Sequence, residues 1–360
     1  MNKLSNTVKD LFLCSWHPFA WLIFVGFLLY AQTLFFGFSY FDDNILILEH
    51  IPWLRDFSHI SNIFHGDVFH LAGKTAYYYR PFLTLSFMVN AFFSGTDPFG
   101  YHLVNVLIHL FATSLLLLLL IQLEYDQLKS FCLSLLFLVH PALVQAVAWI
   151  PGRNDSLLTV FILLSFLFFI QYYRTVRVKD LFWHLVFFVC ALFTKESAVV
   201  LPLLCFFYVF LTDRGGKLRR PWEIFFTWLL CLGLWFALRS WVVETSPSFF
   251  MEWINFVFVN SPAVLVYFGK VFFPFNLSVL PILRDVHFWF GALAVVFLAA
   301  LIVLSPEKRV RVIIFGFLWF VSFLFFALIR PTSPSVPADF LEHRLYLPLV
   351  GVVIVLAEIN

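Results

Sequence analysis

The run PFAWLIFVGFLLYAQTLFFG, residues 18–37, contains no charged side chain. A helix needs about 20 apolar residues to cross the hydrocarbon core of a bilayer, and this run supplies them. The whole chain agrees with that reading. Of its 360 residues, 62% are hydrophobic, 21% are aromatic and only 12% are charged. A soluble domain carries about 25% charged residues, so lipid is the natural solvent for most of this surface. The run is longer than a signal-peptide core and has no small-residue cleavage site, so it is expected to stay as an anchor.

Working outward, nine further apolar runs read as spans: Tyr101–Leu123, Lys129–Ile150, Ser156–Tyr173, Leu181–Phe193, Ala198–Leu211, Trp222–Trp241, Phe288–Leu304, Val312–Ile329 and Tyr346 to the end. Pro81–Phe93 and Val257–Phe275 are also apolar but flanked or interrupted by Arg80, Asp97, Asn260, Pro262, Lys270 and Pro274, which suits helices in the interface or re-entering from one side. A true span at the second is the alternative topology. The expected fold is therefore an all-α polytopic membrane protein, one domain over 1–360, with about ten transmembrane helices and two long loops, 38–100 and 242–287. Within the first loop, IPWLRDFSHISNIF (51–64) spaces its apolar residues as a surface helix would. The chain stops at Asn360 inside its last apolar run, so truncation of a longer protein is one reading of that end.

Lys and Arg concentrate in alternate short connections: Lys3/Lys9, Lys129, Arg174/Arg177/Lys179, Arg214–Arg220 and Lys308/Arg309/Arg311. The positive-inside rule makes these cytoplasmic, together with the N-terminus. All the polar motifs without a topogenic explanation then face the extracytoplasmic side: the periplasm of a bacterium, or the lumen of the endoplasmic reticulum.

Those motifs begin with FSYFDDNILILEH (38–50), where Asp42 and Asp43 stand just past the first span. They read either as a solvated helix end with a capping acid or as a general base at the lipid–water boundary. A divalent metal, if the protein uses one, would sit on the same two carboxylates. YYYRPF (77–82) is an aromatic belt with a snorkelling Arg80, or a cation for the acids or a phosphate. HPALVQAVAWIPGRND (140–155) places His140, Arg153 and Asp155 between two apolar helices, where charge is costly unless paired or functional. FTKESAVVLP brings Lys195 and Glu196, and FLEHRLYLP brings Glu342, His343 and Arg344. One carboxylate pair facing several cations suits chemistry on a lipid-linked phosphate.

Composition excludes some classes. The net charge of +2 argues for no nucleic-acid partner. The five cysteines are odd in number, lie in or beside apolar runs and show no ligand spacing, so they read as small buried hydrophobes. A proton-coupled transporter would place its ionisable groups near the midplane. A transporter or flippase of a phosphate-bearing lipid or solute stays open as the alternative, and so does a structural membrane partner whose charges merely pair off.

In order, YFDDN, YYRPFLTLSFMVN, GYHLVNVLIHL, HPALVQAVAWIPGRNDSLL, FTKESAVVLPLL and EHRLYLPLVG resemble the motifs of C-type membrane glycosyltransferases. The similarity is greatest to the transmembrane and tetratricopeptide-repeat O-mannosyltransferases and their bacterial relatives, and it runs from about Tyr40 to Gly351. The resemblance implies a polyprenyl-phosphate sugar donor, a mannose-like sugar, a protein or glycan hydroxyl as acceptor, and inversion at the anomeric carbon. It makes Asp42 or Asp43, with Asp43 preferred, the catalytic base. It matches Arg80, His140, Arg153, Lys195/Glu196 and Glu342/His343/Arg344 to family motifs. Charge and side assign Arg80, Arg153, Lys195 and Arg344 to the donor phosphate, with His140, Asp155, Glu196, Glu342 and His343 in support. This sequence has no repeats after the membrane core, which weakens the inference of a protein acceptor.

Overall fold

The computed structural model describes residues 15–73, 78–212, 221–243, 249–275, 277–282, 287–329 and 339–359. The expected basic loop at 214–220, Tyr77 and parts of the second long loop lie outside them. The described residues form helices and connections, with one isolated bridge between Ile282 and Asp339. The principal helices are α1 His17–Tyr30, α2 Pro81–Ser94, α3 Pro98–Gln122, α4 Gln127–Leu138, α5 Arg153–Thr175, α6 Val178–Thr194 and α7 Leu201–Thr212. They continue as α8 Pro221–Val242, α9 Phe249–Asn260, α10 Ala263–Phe272, α11 Trp289–Leu304, α12 Val310–Leu328 and α13 Tyr346–Ala357.

Among the described residues five helices are long and apolar enough to cross a membrane: His17–Phe35, Pro98–Gln122, Ile150–Thr175, Trp222–Val242 and Val310–Leu328. Counting each of two bent pairs as one span would bring the number to seven. That is fewer than the ten expected, because α6, α7, α11 and α13 have only 17, 12, 16 and 12 residues. The missing length is explained best at α13. Its residues are almost all buried, against α12, α4 and α5, so protein rather than lipid surrounds it. Two glycines let α12 and α13 touch: a Cβ on Gly316 would lie 2.6 Å from the Gly351 carbonyl oxygen, and one on Gly351 would lie 2.4 Å from that of Gly316. Close backbone approach of this kind is how helices associate where no hydrophobic force separates protein from solvent.

The expected span Lys129–Ile150 is broken. α4 and the segment Pro141–Ala148 meet at 53°. Pro141 has no N–H to donate and pushes its predecessor out of the helical region; His140 adopts φ −68, ψ 121. The His140 ring repairs the break. Its Nδ1 accepts from the Ala142 N–H (3.3 Å) and its Nε2 donates to the Val271 carbonyl (2.9 Å), tying the bend to α10. The stretch around Val257–Phe275 is a second bent pair, at 45°, with the break at Ser261-Pro262, consistent with either a broken span or a re-entrant segment.

The described residues of loop 38–100 fold into a cap around an apolar core built from Leu46, Ile47, Leu54, Ile63, Phe87 and Met88 among others. The surface helix expected over 51–64 is two pieces, Ile51–Leu54 and Phe57–Phe64. Asp56 divides them by accepting the Ser58 N–H at 2.9 Å and capping the second. Ile51, Leu54 and Ile63 turn inward, while Phe57 and Ile60 stay exposed. The bundle has a separate core that includes Leu116, Phe166, Trp319 and Ile354.

Candidate active site

The polar motifs converge on one end of the bundle. Asp43 starts the short helix Asp43–Leu46 and is 1% exposed. Its Oδ2 accepts from the Ser39 backbone N–H (2.6 Å) and from the Ser39 hydroxyl (2.8 Å). Its Oδ1 is buried and has no hydrogen-bond partner among the described residues. Such an atom costs about 1–3 kcal/mol unless something else bonds to it. Asp42, at the N-cap position of that helix, is half-exposed and makes no capping hydrogen bond. His102, in the first turns of α3, lies beside this carboxylate. It is 2% exposed, and its ring nitrogens have only the Phe36 and Gly37 carbonyls near them, without well-formed hydrogen bonds.

A second cluster gathers the ends of α2, α5 and α6 and the turn before α13. Arg80 sends Nε and Nη2 to Glu196 Oε2 at 3.1 and 3.0 Å and stacks 4.3 Å over the Tyr78 ring. With its amide oriented to satisfy both neighbours, Asn154 accepts from Arg80 Nη1 (2.8 Å) and donates to the Thr194 carbonyl (3.0 Å). Lys195 Nζ bridges both oxygens of Asp155 at 2.7 and 2.8 Å. Burial pushes the Lys195 ammonium below the ordinary lysine range, although Asp155 pulls it the other way; Arg80 and Arg344 are close enough to add to the lowering. Arg344 donates to the Asp339 carbonyl oxygen (2.8 Å) and carboxylate (3.0 Å). Arg80, Lys195 and Arg344 are thus brought together, each with a carboxylate partner.

His343 adjoins the second group. Its backbone N–H and Nδ1 bond to Gln145 Oε1 at 3.0 and 3.2 Å, and its Nε2 lies 3.7 Å from Asp155 Oδ2. Glu342 is buried against Lys270 (2.9 Å) and the Ser278 N–H (2.7 Å), which anchors the Glu-His-Arg turn to α10.

Arg153 stands apart from the other cations. It is fully buried: Nε donates to Asn105 Oδ1 (2.7 Å), Nη1 to the Ser86 carbonyl (3.2 Å) and Nη2 to the Tyr101 carbonyl (2.9 Å). Asn105 Nδ2 in turn donates to the carbonyls of Val147, Trp149 and Ile150. Its hydrogen bonds therefore bind the cap to α3 and to the start of α5. His140 likewise works at the helix break. Sequence reasoning passed over Ser39, His102, Asn105, Gln145, Trp149 and Lys270. Only the polar letters inside GYHLVN and HPALVQAVAW could have pointed to His102, Asn105 and Gln145.

Among the described residues no group of three or more His, Cys, Asp or Glu side chains could hold a metal ion.

No family model matches the chain, and no solved structure matches it. It is 33% identical over 201 residues to Protein O-mannosyl-transferase TMTC2 of Mus musculus, covering 53% of this chain and 24% of that protein. It is 34% identical over 184 residues to Protein O-mannosyl-transferase Tmtc1 of Drosophila melanogaster (50% and 21%). It is 31% identical over 248 residues to Protein O-mannosyl-transferase tmtc2 of Xenopus laevis (62% and 29%). The chain spans about a quarter of the length of these curated relatives. Motif order and sequence similarity agree: this membrane protein is a relative of the transmembrane and tetratricopeptide-repeat O-mannosyltransferases, a group of C-type membrane glycosyltransferases.

Proposed function

We propose that the chain is an integral-membrane glycosyltransferase that moves a mannose-like sugar from a polyprenyl-phosphate donor to a hydroxyl of a protein acceptor at the extracytoplasmic face. The observation that carries this reading is Asp43: a buried carboxylate with one oxygen fixed by Ser39 and the other without a partner among the described residues, its near neighbour Phe41 joined through Trp149 and His343 to Asp155 and Lys195.

In this reading Asp43 Oδ1 takes the proton of the acceptor hydroxyl. The acceptor oxygen bonds to the anomeric carbon from the face opposite the phosphate, the bond from that carbon to the phosphate oxygen breaks, and polyprenyl phosphate leaves. A base so placed contributes about 10²–10⁴-fold. Arg80, Lys195 and Arg344 share their charge with the departing phosphate, and their carboxylate partners hold the donors in place before it arrives. Arg153 and His140 serve as scaffolding for these groups, and neither reaches the phosphate.

The prenyl chain has a fitting surface. An apolar groove of about 410 Å³ is lined by Val199, Leu229, Leu232, Gly233, Trp235 and Phe236. One turn further along α8, Arg239 lies over the Trp235 ring at 5.9 Å. The test is incubation of the purified chain with candidate polyprenyl-phosphate sugars and mass spectrometry of acceptors. A glycosylated product that disappears in the Asp42→Asn/Asp43→Asn double variant is expected. Full transfer by the double variant would refute the assignment, and flux without product would favour a transporter.

A further inference from the structure

Trp149 carries an unexplained feature. Its backbone is pinned: the N–H donates to the Gln145 carbonyl (3.2 Å), and its carbonyl accepts from Gly152 N–H (3.0 Å) and Asn105 (3.2 Å). Its ring is half-exposed, yet its indole Nε1 is buried with no hydrogen-bond partner among the described residues. A buried indole N–H ordinarily finds one. The ring contacts both halves of the site. Phe41, two residues from Asp43, lies 5.6 Å away between centroids, and His343, which reaches Asp155 and so Lys195, lies 5.3 Å away.

We propose that Trp149 is the platform for the transferred sugar ring, and hence a specificity-determining residue. The proposal rests on the donor reading above. In an inverting displacement the sugar must lie between base and phosphate, and Trp149 is the aromatic residue that touches the neighbours of both. A hexose presents an apolar C–H face and a hydroxyl edge. The indole face takes the first, and the unpartnered Nε1–H donates to a hydroxyl of the second. The phosphate and the prenyl chain make no contact with this residue.

That division gives the test. Binding of polyprenyl phosphate and of polyprenyl-phosphate mannose is measured on the full chain in lipid nanodiscs. Wild-type protein should hold the sugar-bearing lipid about tenfold more tightly, a contribution of about 1.4 kcal/mol. Trp149→Leu should erase the preference while leaving affinity for bare polyprenyl phosphate unchanged. Trp149→Phe keeps a ring and removes the N–H, so an intermediate preference is expected, and this smaller change still decides the matter should the Leu variant fail to fold. A Leu variant that keeps the tenfold preference overturns the proposal, as does equal weakening of both lipids, which would mark a structural role. A Phe variant with the full preference overturns the N–H contact. Wild-type protein that binds neither lipid would bring down the donor reading itself, and the platform with it.

Discussion

Asp42 and Asp43 are adjacent letters with different surroundings. Asp43 is buried with one oxygen unpartnered, whereas Asp42 is half-exposed. The single variants should therefore separate. Asp43→Asn is expected to lower transfer by about 10²–10⁴-fold, the range of a general base, and Asp42→Asn by far less, as read in initial rates at saturating donor. The DD pair was visible in the sequence, and the resemblance favoured Asp43; what the sequence lacked was the physical difference between the two, which depends on how the chain folds back at Ser39. Arg153 shows the same limit more sharply. Its charge was legible, but its partners Asn105, Tyr101 and Ser86 come from distant parts of the chain. Arg153→Met should cost about 3 kcal/mol or more in thermal unfolding, since it strands buried acceptors, and should leave the donor KM of the folded fraction unchanged. Lys195 gives a pH dependence. Its folded pKa lies below the unfolded one, so a penalty for keeping it charged is present at neutral pH and is relieved as pH rises from the folded value toward about 10.4. Affinity for polyprenyl phosphate should fall across that window while this residue's contribution to stability improves. Parallel binding and melting curves above neutral pH will show whether the two trends diverge.

Among the elements, the bends are as informative as the straight helices. Hydropathy treats Lys129–Ile150 as one span because it averages over His140-Pro141. The backbone cannot, and His140 supplies the two hydrogen bonds that finish the break. His140→Ala should destabilise the protein by about 1–2 kcal/mol and speed hydrogen exchange at residues 140–144, with His140→Asn recovering part of the cap. At the crossing of α12 and α13, Gly316→Ala or Gly351→Ala would drive a methyl into backbone carbonyl rather than into a movable side chain. A loss of about 1–3 kcal/mol in thermal unfolding is expected for either. Membrane helices as such were readable from apolar runs; their number was not, and α13 shows why, because a helix enclosed by other helices is as apolar as one in lipid.

At the scale of the molecule, α3 sets the frame. Its 25 residues extend about 37 Å, more than the hydrocarbon thickness of about 30 Å. Single cysteines replacing Asp97 and Asp126, both exposed at its two ends, should in a cysteine-free background react with an impermeant thiol reagent from opposite sides of sealed vesicles. Labelling of both from one side would remove α3 from the membrane and the proposed sidedness with it. The cap over residues 38–100 has a further consequence. Asp43 adjoins one apolar core and Lys195 and Arg344 the other, while Arg80 stands between them, beside Tyr78 of the first and Tyr79 of the second. The base and two of the three cations, Lys195 and Arg344, are therefore mounted on different apolar cores. As temperature or detergent rises, sugar transfer should cease while the helical signal of the bundle is still intact, so that inactivation and melting are two events with two midpoints.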